Sequence, residues 1–132
     1  MSIVYKDVKS FQERDLEELF LSVEWVAGQH PDKLVIAIEN SSTVFSAWDN
    51  NKLIGLINAL DDGIMTAYIH FLLVHPNYQG KGIGKKLLGM AMEKYKEYLR
   101  VVLVADEEET GFYQNSGIEL AHGTKAMFIN RF

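Results

Sequence analysis

The feature that most constrains this chain is a change of hydrophobic period. The run Thr66–Val74 (TAYIHFLLV) is nearly continuously apolar, and from Ile83 the apolar residues recur at helical spacing. Ile83, Leu87, Leu88, Ala91, Met92, Tyr95 and Leu99 form one stripe, while Lys85, Lys86, Glu93, Lys94 and Glu97 fall on the opposite face. A second apolar run, Val101-Val102-Leu103-Val104-Ala105, follows. Strand, helix, strand in that order joins parallel neighbours through a right-handed crossover. The first run lacks polar alternation, so it is expected as a central strand buried on both faces.

The flanking segments add smaller elements. Ile3 to Asp7 alternates as a short strand, and Asp15 is placed to cap a helix through Leu16, Leu19 and Phe20. Pro31-Asp32 opens a second helix that ends at Asn40-Ser41-Ser42. The segments 43–49 and 52–59 flank Asn50-Asn51, a connection that tolerates the left-handed backbone of a tight hairpin. Asp61-Asp62-Gly63 marks another turn. A short helix is expected over 108–115, then two small strands at 118–120 and 126–130. The whole reads as one α+β domain over residues 1–132, since that length leaves no room for a second core.

Composition narrows the chemistry. With no cysteine, the chain has no disulfide, no thiolate nucleophile and no thiolate metal site. Its four histidines, His30, His70, His75 and His122, lack metal-ligand spacing, so no metal is expected. Neither a leader-like start nor an apolar run of bilayer length is seen, which leads to the expectation of a cytoplasmic protein with no membrane partner. A net charge of −5 argues against nucleic acid, except that Lys81, Lys85 and Lys86 concentrate positive charge in one place.

That place is the segment His75-Pro76-Asn77-Tyr78-Gln79-Gly80-Lys81-Gly82-Ile83-Gly84-Lys85-Lys86, between the long strand and the amphipathic helix. Glycines at a helix entrance let backbone N–H groups approach a ligand, and the helix terminus adds about half a positive charge. An anion is the natural guest. The dinucleotide fingerprint would need a third glycine where Lys85 stands. The P-loop would need a glycine at Gln79 and a hydroxyl residue at Lys86. Spacing thus disfavours both, and with them a nucleotide-binding domain of another kind.

Gln79-Gly80-Lys81-Gly82-Ile83-Gly84 resembles the Gln/Arg-x-x-Gly-x-Gly/Ala signature of the GCN5-related N-acetyltransferase (GNAT) family. Leu73-Val74-His75-Pro76 before it and Phe112-Tyr113-Gln114-Asn115-Ser116-Gly117-Ile118 after it are similar to that family's flanking segments. Val23-Glu24-Trp25 is similar to a segment of its small bacterial single-domain members. The resemblance implies a mixed, mostly antiparallel sheet with a splayed parallel pair in the middle, flanked by about four helices. It implies acetyl-CoA as cosubstrate, with the diphosphate on Gln79, Gly80, Lys81, Gly82, Ile83, Gly84 and Lys85, and the pantetheine along Leu72, Leu73 and Val74. It further implies Tyr113 as general acid beside the sulfur, and a homodimer.

Direct transfer needs a base for the attacking amine, a donor for the oxyanion and an acid for the departing thiolate. A backbone N–H near Leu73 or Val74 is expected to hold the oxyanion. Relatives of this kind often have a carboxylate where this chain has Phe71. His70 is therefore a candidate base, although strict strand alternation would turn it to the opposite sheet face from Phe71. Glu24, Asp106 and a water chain ending at Glu108 are the alternatives. The acceptor is a small-molecule or protein amine, and the acidic chain suits a cationic one. A non-catalytic CoA-binding sensor is the competing reading.

Overall fold

The computed structural model describes residues 2–132. The chain order is β1 (Ile3–Lys6), α1 (Glu13–Ser22), α2 (Pro31–Glu39), β2 (Thr43–Asp49), β3 (Lys52–Asp61), β4 (Thr66–Val74), α3 (Ile83–Lys94), β5 (Arg100–Leu103) and α4 (Thr110–Gln114). The five strands form one sheet in the order β1-β2-β3-β4-β5. Every pairing is antiparallel except β4 with β5, the parallel pair that the crossover through α3 demands. This is the α+β architecture expected from the sequence. The hairpin between β2 and β3 turns on Asn50 at φ 55°, a left-handed conformation that asparagine adopts readily.

Two layers of helix cover the sheet. On one face Leu16, Leu19 and Phe20 of α1 and Leu34 and Ile38 of α2 pack on Val44, Leu56 and Leu73. On the other, Ile83, Leu87, Leu88 and Ala91 of α3 pack on Ala47, Ile54, Ile57 and Ile69. Helical period in α3 and pleat alternation in β3 thus serve opposite faces of one core.

Several expectations are corrected. The α1 cap is Gln12, and Asp15 lies inside the first turn. The α3 stripe stops at Tyr95, which is buried, while Leu99 is 79% exposed beyond the helix. The segments 118–120 and 126–130 form no strand, and Met127, Phe128 and Ile129 stand exposed. Alternating apolar residues make a segment competent for a sheet, but a strand exists only where another strand's N–H and C=O groups meet it. Gly89 has no atom within 4 Å of where a Cβ would stand, so it is an open surface position rather than a close approach. β4 is also less enclosed than its composition suggested. Ala67, Ile69 and Leu73 are buried, but β5 pairs only with Thr66 to Ile69, leaving the second half open on that edge.

Candidate active site

The open half of β4 begins at a β-bulge. Asn58 pairs with Phe71 and Ala59 with Ile69, so His70 is the extra residue on β4. The bulge brings the His70 and Phe71 rings together, stacked with centroids 3.8 Å apart. This corrects the expectation that alternation would separate them. An inserted residue resets the pleat, and both side chains then project on the α1/α2 side of the sheet.

A buried polar chain props the bulge. Asn58, 2% exposed, accepts the Phe71 N–H on Oδ1 at 2.9 Å and donates through Nδ2 to Ser41 Oγ at 3.0 Å. Ser41 Oγ donates in turn to the Ala37 carbonyl at 2.9 Å. Phe71 is further fixed by the rings of Phe20, at 4.9 Å, and Trp25, at 5.9 Å.

The Phe71 N–H points toward β3, and so does the His75 N–H, which reaches the Ile54 carbonyl at 2.8 Å. Alternation between those two fixed points sends the Leu73 amide toward β3 and the amides of Leu72 and Val74 toward the unpaired edge. Of the two amides expected to hold an oxyanion, only that of Val74 faces the open side. Leu72 joins it there.

That edge borders a cavity of about 760 Å³ running from the glycine loop to α4. Two anchors hold the loop against it. Gln79 Nε2 donates to the Val74 carbonyl at 2.9 Å, and the Tyr78 hydroxyl donates to Asp49 at the end of β2. Gly80 and Gly82 take φ of 77° and 82°, where a side chain would be strained, and the space beside both is open. Gly82 is the N-cap of α3, and no side chain caps that helix. The first amides of α3 therefore lack a side-chain acceptor, beside the Lys85 ammonium at the cavity wall. At Gly84 the Phe112 ring lies 3.5 Å from where a Cβ would stand, which seats α4 against α3.

Two titratable groups of the wall are shifted from their ordinary values. Desolvation holds the His70 imidazole below the ordinary histidine range, so it is neutral at pH 7 and able to take a proton. Tyr113 is pushed above the usual phenol value by desolvation first, and then by the carboxylates of Glu109 and Asp106. It stays protonated and can donate.

Of the residues singled out from sequence, His70, Leu72, Leu73, Val74, Gln79, Gly80, Gly82, Ile83, Gly84, Lys85 and Tyr113 all line this one cavity. Lys81 does not. Asp106 lines it as well, whereas Glu24 and Glu108 lie outside the wall. Val104 and Ala105, from the run expected to splay from β4, form part of the wall, whereas sequence reasoning missed Glu109. Glu109 sits in an acidic run with no periodic signal, and only the 3₁₀ turn over 107–109 brings it beside Tyr113. The cradle fits a diphosphate on three independent grounds: left-handed glycines with free space, an uncapped helix terminus and a lysine. Among the described residues, no three of His, Asp and Glu gather closely enough to hold a metal ion.

Residues 7–118 match the model of the acetyltransferase (GNAT) family. The uncharacterized N-acetyltransferase ycf52 of Gracilaria tenuistipitata var. liui is 38% identical over 86% of this chain and 66% of its own length. The protein of the same name from Pyropia yezoensis is 33% identical over 96% of this chain and 79% of its own. Among solved structures, a GNAT-family acetyltransferase of Streptococcus pneumoniae is 29% identical over 99% of this chain and 100% of its own, with a TM-score of 0.85.

Proposed function

The chain belongs to the acetyltransferase (GNAT) family, and from that premise we propose that it moves an acetyl group from acetyl-CoA to a primary amine within a ternary complex. One observation supports this above the others: a single cavity is lined together by Gly80, Gly82, Ile83 and Gly84, by the free edge of β4, and by His70 and Tyr113.

Acetyl-CoA would supply an activated thioester. In this reading the amides of the α3 terminus and Lys85 hold the diphosphate, and the edge-facing N–H and C=O of Leu72 with the N–H of Val74 take the pantetheine as an added strand. The Val74 or Leu72 amide receives the charge that develops on the carbonyl oxygen. His70, neutral at pH 7, takes the proton of the amine as its nitrogen bonds to carbon. Tyr113 donates to the sulfur. A phenol near 10 and a thiol near 8.5 make full proton transfer uphill by about 2 kcal/mol, and the raised Tyr113 value widens that gap. Its hydroxyl therefore acts chiefly as a hydrogen-bond donor to the departing thiolate.

The test is Tyr113→Phe, with acetyl-CoA affinity measured by calorimetry and turnover by thiol release. Turnover should fall at least tenfold while affinity stays within about twofold. Unchanged turnover with every amine tried would remove Tyr113 from the reaction. A non-catalytic CoA sensor is favoured by one observation, the packed Phe71 where relatives often carry a carboxylate. Binding of acetyl-CoA without turnover across a broad amine panel would select it. The proposal places the protein in the cytoplasm; among the described residues no helix is long and apolar enough to cross a membrane.

A further inference from the structure

The glycine cradle is fixed from outside itself. Among the described residues the amides of Gly80, Lys81 and Gly82 meet no backbone acceptor, and Gly80 and Gly82 are both left-handed. Order comes from the turn just before them. The His75 N–H donates to the Ile54 carbonyl at 2.8 Å, the Asn77 N–H to His75 Nδ1 at 3.1 Å and the Tyr78 N–H to the His75 carbonyl at 2.8 Å. One side-chain bond then crosses to a distant element, from the Tyr78 hydroxyl to Oδ2 of Asp49, the last residue of β2.

Asp49 stands on a stiff platform. It lies where three strands meet, opposite Ile3 of β1 and Lys52 of β3. The adjoining Trp48 is stacked on Phe11 with centroids 6.0 Å apart and lies 4.4 Å under the Lys6 ammonium. Among the described residues Asp49 forms no ion pair. By charge alone, an unpaired carboxylate tied to the wall of an anion cradle weakens the site. Its bond to Tyr78 acts in the other direction. That bond, first among the causes, raises the Tyr78 pKa from the ordinary phenol value, so the hydroxyl remains a donor across the neutral range. Tyr78 itself lines the cavity beside Gln79 and Gly80.

We propose that Asp49 is a positioning residue for the diphosphate of acetyl-CoA. It accepts the Tyr78 hydroxyl, and thereby holds the start of the glycine loop against the sheet before the ligand arrives. Preorganisation of the loop outweighs the repulsion between carboxylate and ligand. The inference rests on the acetyl-CoA reading for the identity of the anion, whereas the anchoring is testable without it.

Tyr78→Phe, Asp49→Ala, Asp49→Asn and the double variant Tyr78→Phe/Asp49→Ala are titrated calorimetrically with acetyl-CoA, and kcat is measured at saturation by thiol release. Tyr78→Phe and Asp49→Ala should each raise Kd about tenfold, and the double variant no further, because both remove one bond. Asp49→Asn keeps an acceptor oxygen and should stay within about threefold of the native protein. In all of them kcat should hold within about twofold, a split that general destabilisation would not give. Hydrogen exchange of the ligand-free protein should rise over residues 75–82 in Tyr78→Phe and Asp49→Ala. Tighter or unchanged binding by Asp49→Ala overturns the proposal, since charge would then be the whole effect. Additive losses in the double variant overturn it too, as does an asparagine no better than alanine. If Asp49→Ala does not fold, Tyr78→Phe, which loses only a hydroxyl, carries the test. A native protein that binds no acetyl-CoA removes the transfer reading and leaves exchange to decide the anchoring; unchanged exchange in both variants overturns it.

Discussion

Asn58 decides more of the site than any residue that touches the cavity. Its amide satisfies the Phe71 N–H and the Ser41 hydroxyl together, and thereby holds the bulge that brings His70 beside Phe71. Asn58→Ala would strand a buried donor, at a cost of about 1–3 kcal/mol measurable by chemical denaturation. Turnover should fall more than acetyl-CoA affinity does, because the glycine loop is anchored separately through Gln79 and Tyr78. His70 gives a pH prediction whose sign follows from desolvation. Burial disfavours the imidazolium, so the folded-state pKa is lowered and the neutral base is lost only as pH falls through that lowered value. The acid limb of turnover at saturating acetyl-CoA should lie below about pH 6.5, the ordinary histidine value. In His70→Gln that limb should vanish; a limb that persists unchanged would assign the base elsewhere, with Asp106 next in line.

At the scale of elements, two glycines of α3 make opposite predictions. Gly82 caps the helix at φ 82° with free space beside it, so alanine there meets backbone strain of roughly 1–2 kcal/mol rather than a clash. Relieving that strain turns the loop amides away from the cavity, and acetyl-CoA affinity should drop about tenfold by calorimetry. Gly89 lies inside the helix and exposed, with nothing near its absent Cβ. Gly89→Ala should raise stability by about 1 kcal/mol in a thermal melt and leave affinity alone. The glycine loop was legible because its function depends on spacing along the chain and on residues that tolerate positive φ. The C-terminal strands were misread because pairing depends on an edge elsewhere in the molecule.

Over the whole molecule, charge is arranged against its own average. A chain of net −5 presents Lys85 at the cradle, so acetyl-CoA binding should weaken as salt rises and Lys85→Ala should flatten that dependence. Lys81, outside the wall, should matter less when both variants are titrated at low and at high salt. The sequence by itself determined the α+β class, the crossover between parallel strands and the glycine loop at a helix entrance. Each of these is encoded in local period, in turn chemistry or in glycine's conformational range. Only the tertiary structure decided that His70 and Phe71 share a face, that Glu109 flanks Tyr113, and that Asp49 meets Tyr78. A bulge is a mismatch between two strands, and a cavity wall gathers residues distant in sequence, so neither leaves a trace in the period of a single segment.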